Sequence, residues 1–238
     1  MVAPYNRQVV IDIGTGDGRF VCRSARQQPE TFFIGVDANA SALAKVSEKI
    51  HRKPAKGGLP NALFLQAAVE SLPVELTGIA STVQVQFPWG SLLRGVINGD
   101  TTVLSNLRRI CMPDAKLTII TGLDPKRDRN EIERLAIQPP TLAYLQNKLL
   151  PKYEAAGFSS VEIGPLAPAV WPQLASSWAK RLRNNPDRSL LALNFRAASL
   201  IESELNDPNP ELSGHLIDDR HQHTGELWAQ VMQKEMTK

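Results

Sequence analysis

The stretch DIGTGDG at residues 12–18 has the residue types for holding a small anionic or zwitterionic ligand on bare backbone. Glycines at 14, 16 and 18 allow a tight turn and remove the side chains that would block close approach. The apolar run from Gln8 to Ile13 reads as a buried parallel strand, and Arg19 to Gln28 reads as a helix. The turn therefore sits at the carboxyl edge of a sheet, where open α/β folds bind ligands. A second run, Thr31 to Val36, closes on Asp37, about 20 residues on, where a carboxylate can accept both hydroxyls of a ribose. Two cofactors share this layout. A nicotinamide dinucleotide requires G-x-G-x-x-G, and the position that would complete that pattern is Arg19. The pattern D-x-G-x-G-x-G without that glycine fits S-adenosylmethionine, which has no pyrophosphate to cradle. Asp12, Gly14, Gly16, Asp37 and the adjoining Ala38 are the candidate donor-binding residues of this half. Ala68, Val69 and Glu70 follow the third strand and are placed along the donor's adenine, with Glu70 as the reading side chain.

A second constellation is QFPWGSLL at 86–93. It joins a strand, Ile79 to Gln86, to a helix starting at Ser91. It brings Phe87, Pro88 and Trp89 to the same carboxyl edge. Trp89 there is suited to stack on a nucleobase, since an enzyme acting on a base edge must take the base from its stack and replace that stacking. Phe87 and Ser91 are expected beside the donor. Cys22 and Cys111 are isolated, without metal-ligand spacing, and read as buried apolar residues. His215, His221 and His223 read as solvated, so no metal site is expected.

The elements that must position these groups alternate strand and helix. A helix capped by Asn39 or Ser41 carries Leu43, Val46 and Ile50 on one face. Residues 52–60 form a basic loop, and Ala62 to Gln66 a third strand. Residues 91–110 are helical with a break at 98–100. A turn is expected at Pro113 and Asp114, before a fifth strand from Lys116 to Thr121. Residues 122–140 read as a mobile loop with one helical turn. Leu142 to Ala156 reads as a helix ended by Gly157, followed by strands from Phe158 to Gly164 and Leu190 to Arg196. A short basic helix is expected over Ser177 to Asn184. The class is α/β, a Rossmann-like fold with a seven-stranded, mostly parallel sheet and helices on both faces.

The 238 residues carry a net charge of +3, with 42% hydrophobic and 21% charged residues, as in globular domains. No apolar run reaches bilayer length and the N-terminus lacks the build of a signal peptide, so a cytoplasmic protein without a membrane is expected. Residues 197–238 hold 3 basic and 8 acidic residues, which leaves 24 basic and 16 acidic before them. A basic body suits a polyanionic partner. The expected division is a catalytic domain over 1–196 and an acidic extension over 197–238.

Four stretches resemble the 16S rRNA (adenine 1408-N1)-methyltransferases: DIGTGDGRF at 12–20, KPAKGGLPN at 53–61, FPWGSLLRGV at 87–96 and SSWAKRLRNNPDRS at 176–189. The first is generic to its superfamily; the others are specific, and the likeness spans residues 8–196. The resemblance implies a class I S-adenosylmethionine-dependent enzyme that methylates N1 of an adenine in the decoding site of the 30S subunit and confers aminoglycoside resistance. It implies that Trp89 and Trp178 sandwich the flipped base, that Arg188 holds its nucleotide backbone, and that Ser176 lies near donor and target. It assigns Arg52, Lys53, Lys56, Lys180, Arg181 and Arg183 to rRNA phosphates, in a monomer. The family carries an N-terminal hairpin where this chain begins at its first strand, which implies one docking surface fewer. The rivals are a tRNA guanine-N7 methyltransferase, whose kind carries FPDPW-type motifs, and a non-catalytic RNA-binding factor.

Overall fold

The computed structural model describes residues 8–124, 126–166 and 190–199. Gln8–Ala198 form one compact unit. Its strands are β1 (Val9–Ile13), β2 (Phe32–Asp37), β3 (Ala62–Gln66), β4 (Ala80–Gln86), β5 (Cys111–Thr121), β6 (Phe158–Pro165) and β7 (Leu191–Ala197). They form one sheet in the order β3-β2-β1-β4-β5-β7-β6. The sheet is parallel except for β7, which runs antiparallel to both of its neighbours. The chain winds outward from β1 to β3, then restarts at β4 on the other side of β1. With right-handed crossovers that reversal puts the two sets of helices on opposite faces. It also opens a crevice between the carboxyl ends of β1 and β4.

Alternation along the strands decides what each face buries. Phe33, Ala62 and Phe64 pack with Val21, Cys22 and Ala25 of α1 (Arg19–Gln27) and Leu43 and Ile50 of α2 (Ala40–Ile50). On the other face Ile11, Val83, Leu117 and Phe195 follow one another across the register, all buried. That face receives α3 (Gly90–Asn98) and α4 (Thr101–Ile110), separated by Gly99 at φ 64° and capped again by Asp100, whose carboxylate accepts the Val103 N–H at 3.1 Å. Tyr153 is fully buried there: its ring stacks on Phe195 at 4.2 Å and its hydroxyl donates to the Val96 carbonyl at 2.9 Å.

One buried polar side chain ties the α1/α2 half together. The Asn61 amide donates to the carbonyls of Ala25 at 2.9 Å, Gln28 at 3.1 Å and Thr31 at 3.0 Å. These carbonyls lie at the end of α1 and just before β2; the Gln28 carbonyl also takes the Thr31 N–H at 3.1 Å.

Three local expectations are corrected. The turn at Pro113 and Asp114 is absorbed into β5: Ala80 pairs with Cys111 and Thr82 with Lys116, so β5 bulges between them. Proline has no N–H to give the ladder and Asp114 takes φ 60°, which a bulge tolerates. The 122–140 segment contains α5 (Arg129–Leu135), because Ile132 and Leu135 at helical spacing are buried between its charges. The helix after it is not uniform: α6 (Leu142–Tyr144) passes through a π turn, Leu145–Leu149, into α7 (Leu150–Ala155). Pro151 lacks the N–H that would continue the ordinary ladder. The expected helix over Ser177 to Asn184 and the acidic extension from 200 onward lie outside the described residues. The neck of β6 and β7 is closed by the Leu166 N–H donating to the Leu190 carbonyl at 2.7 Å. No helix of the described residues is long and apolar enough to cross a membrane.

Replacing Asn61 by Ala removes the side-chain donor of the Ala25 and Thr31 carbonyls, while Gln28 keeps the Thr31 N–H. We expect a loss of about 2–3 kcal/mol, read as a lower urea midpoint at unchanged slope.

Candidate active site

The glycine turn is fastened from two sides. Gly14 and Thr15 donate their N–H groups to the Val36 carbonyl at 2.8 and 3.0 Å, which ties the end of β1 to β2. Asp37 then bridges two loops: its Oδ2 accepts the Gly16 N–H and its Oδ1 accepts the Asn39 N–H, both at 2.8 Å. Each oxygen keeps lone pairs for a further donor. Asp37 is thus an organiser of the turn besides being a candidate for ribose hydroxyls. Asn39 in turn caps α2 through Ser41, with a 3.0 Å bond to its N–H. Gly16 sits at φ 57° and a Cβ built on it would meet nothing within 4 Å, so the turn presents an open backbone face.

On the other wall, the first turn of α3 lies against the glycines. A Cβ on Gly14 would come within 2.6 Å of Leu92. Three residues before Leu92, Trp89 caps α3 in extended conformation and is 46% exposed. The residue that turns the chain into this position is Phe87, at φ 51°, with its N–H donating to the Ile120 carbonyl at 2.7 Å. A left-handed phenylalanine is uncommon and strained. Its ring is buried with Ile120, Leu166 and Leu190, so packing holds the bend. Ser91, one residue into the first turn of α3, is exposed.

Polar groups are left without partners at this crevice. Among the described residues, four buried side-chain polar atoms lack a hydrogen bond, and three of them are here: Asp12 Oδ1, Thr15 Oγ1 and Gln86 Oε1. Burial pushes the Asp12 carboxyl up to about 7; the adjacent Thr15 hydroxyl eases this without completing a hydrogen bond, and the Asp37 charge adds to it. A buried acid with an open oxygen and a bare glycine face beside it suits a ligand carrying a cationic ammonium or sulfonium group. S-adenosylmethionine has both.

The remaining sequence candidates divide. Val69–Ser71 is a short 3-10 turn after β3, with Val69 buried and Glu70 exposed. Ala67, next to Ala68, donates its N–H to the Asp37 carbonyl at 3.1 Å, so this connection borders the same edge. Arg52, Lys53 and Lys56 are exposed on a loop tied to α2 by the Leu59 N–H bond to the Ile50 carbonyl at 2.9 Å. This loop lies at the amino edge of the sheet, one length of α2 away from the glycine turn, roughly 16 Å. The structure therefore brings the donor turn and the Trp89 bend together, but not the basic loop. Ser176, Trp178, Lys180, Arg181, Arg183 and Arg188 lie outside the described residues.

Two groups were not singled out from sequence. Glu131 of α5 is held by Arg134 at 2.7 Å, and this contact lowers its pKa. Gln86 is the other. Its signal was the alternation VQVQ at 83–86, which puts polar side chains on the face of β4 that carries Asp12.

The family model described as 16S rRNA (adenine(1408)-N(1))-methyltransferase matches residues 1–197. A protein of that description from Streptoalloteichus tenebrarius is 38% identical over 187 residues, covering 78% of this chain and 85% of its own length. Another from Escherichia coli is 36% identical over 195 residues, covering 82% of this chain and 89% of its own. Among solved structures, the aminoglycoside resistance methyltransferase NpmB1 aligns with a TM-score of 0.71 at 43% identity, over 82% of this chain and 89% of that one. A variant of the 16S rRNA (adenine(1408)-N(1))-methyltransferase from Catenulisporales acidiphilia, solved with cosubstrate SAM, aligns with a TM-score of 0.73 at 33% identity, over 85% and 88%.

The raised Asp12 pKa fixes a pH dependence. A carboxyl whose folded pKa lies above its unfolded value stabilises fully at low pH and loses that contribution as pH rises from about 4 through about 7. Asp12→Asn should therefore raise the melting temperature of the ligand-free protein at pH 8. The gain should shrink as pH falls through 7 and vanish near 4. The same variant should bind S-adenosylmethionine more weakly at pH 8, as titration calorimetry would show.

Proposed function

Because the chain belongs to the 16S rRNA (adenine(1408)-N(1))-methyltransferase family, we propose that it methylates N1 of adenine 1408 in the 30S subunit and so confers aminoglycoside resistance. The observation that carries this reading is the meeting of two walls at one crevice. The donor turn 12–18 and the Trp89 bend both end there, and both lie in stretches that resemble the family. Asp12, Gly14, Gly16, Asp37 and Ala38 hold the donor's amino acid and ribose ends. Ala68, Val69 and Glu70 run along its adenine, and Phe87 and Ser91 flank it. Bound there, S-adenosylmethionine supplies an electrophilic methyl group.

The protein's own task is positioning. Adenine N1 offers a lone pair and carries no proton, so no general base is required. Holding the two reactants in line supplies most of the catalysis. Trp89 and Trp178 take the faces of the flipped base, each stack contributing about 1–3 kcal/mol. Two such stacks offset an unstacking cost of a few kcal/mol. Their faces also favour the positive charge that develops on the ring. Arg188 holds the nucleotide's backbone, and Ser176 lies near donor and target.

Docking is electrostatic. Lys180, Arg181 and Arg183 meet phosphates near the target, while Arg52, Lys53 and Lys56 reach others a helix length away along α2. The working form is a monomer in the cytoplasm, and the acidity of residues 197–238 suits no role in docking on rRNA phosphates, which would repel it.

Purified protein should methylate 30S subunits, giving a primer-extension stop at the decoding adenine; labelling of tRNA alone would overturn the reading. Trp178→Ala should lower turnover by about 5- to 150-fold, the equivalent of one stack, with donor affinity nearly unchanged by calorimetry. Deleting residues 203–238 should leave methylation largely intact.

A further inference from the structure

We propose that Gln86 determines specificity for adenine, its side-chain oxygen accepting a hydrogen bond from the exocyclic N6 amino group of the base whose N1 is methylated. This rests on the function proposed above. Gln86 is the last residue of β4, next to the strained Phe87 and three before Trp89. Asp12 pairs in register with Gln84, so Gln86 shares the face of Asp12 and lies one pleat nearer the carboxyl edge, level with Gly14. Its Oε1 is buried without a donor, beside the two other unpartnered acceptors at the crevice. Those two, Asp12 Oδ1 and Thr15 Oγ1, belong to the donor turn. Gln86 belongs to the strand that delivers Trp89.

A stacking wall cannot choose among bases, because every base offers a π face. Choice requires a polar atom facing the base edge. Adenine presents an N6–H donor next to N1, whereas guanine presents an O6 acceptor there and a protonated N1. An acceptor at this point meets a donor on adenine and a lone pair on guanine. The same contact also serves the reaction. When N1 forms its bond to the methyl carbon, the positive charge spreads over N1, C6 and N6, and N6–H becomes a stronger donor. A hydrogen bond that strengthens as the bond forms raises kcat rather than ground-state affinity.

The test uses the full chain with Gln86→Leu and Gln86→Glu, assayed on 30S subunits carrying adenine or guanine at 1408. Gln86→Leu should lower kcat on adenine roughly 10- to 100-fold. Its KM for 30S, its affinity for S-adenosylmethionine and its melting temperature should stay near wild type, since the change removes an unpaired acceptor. Gln86→Glu keeps an acceptor, so its turnover should recover as pH rises and the carboxyl ionises, with guanine still refused. Wild-type turnover in Gln86→Leu would overturn the proposal and leave the methylation reading standing. So would a loss matched by weaker binding of S-adenosylmethionine, which would give Gln86 to the donor. A wild-type chain inactive on 30S would overturn both.

Discussion

The carboxylate of Asp37 is the constraint on which the site depends. It takes the Gly16 N–H with one oxygen and the Asn39 N–H with the other, each at 2.8 Å. These two amides belong to different loops, one leaving β1 and one leading into α2. A single side chain thus sets the shape of the glycine turn and the start of the helix beside it. Charge-assisted hydrogen bonds from backbone N–H groups are among the stronger ones available. Because Gly14 and Thr15 are also bonded to Val36, the turn has little freedom left. The open face of Gly16 is consequently a rigid surface.

The opposite wall is rigid for another reason. Phe87 holds a backbone conformation that costs free energy, and its ring is locked by Ile120, Leu166 and Leu190. Two walls fixed by unrelated interactions face each other, with Leu92 against Gly14 where they meet. Between them lie acceptors that the fold leaves unsatisfied, while the described remainder of the chain leaves one such atom, Asn98 Oδ1. Among the described residues, the buried side-chain acceptors left open are thus concentrated at the crevice.

What could be read in the sequence was what depends on short spacings. The glycines, Asp37 and the strand Ala62–Gln66 appear where the residue order put them. The α/β class followed from alternation alone. Features set by distant partners were not legible. Pro113 and Asp114 have turn chemistry, yet β4 alongside turns them into a bulge. The charges of 126–134 conceal the two buried apolar residues that make α5 a helix. Gln86 reads as an ordinary polar position until the register with β1 puts it on the face of Asp12. The basic loop at 52–56 resembles part of a docking surface, but only topology reveals that it occupies the other edge of the sheet.

The hydrogen bond from Leu166 to Leu190 closes the neck between β6 and β7. The chain between these positions leaves and re-enters the sheet at one point, so its length does not affect the strand register. Loop-closure cost grows only slowly with length. The pairing of β6 with β7 is therefore insulated from changes in the length of the chain that joins them. An insertion or deletion there can be absorbed while the donor turn and the Trp89 bend, built on β1, β2 and β4, stay as they are.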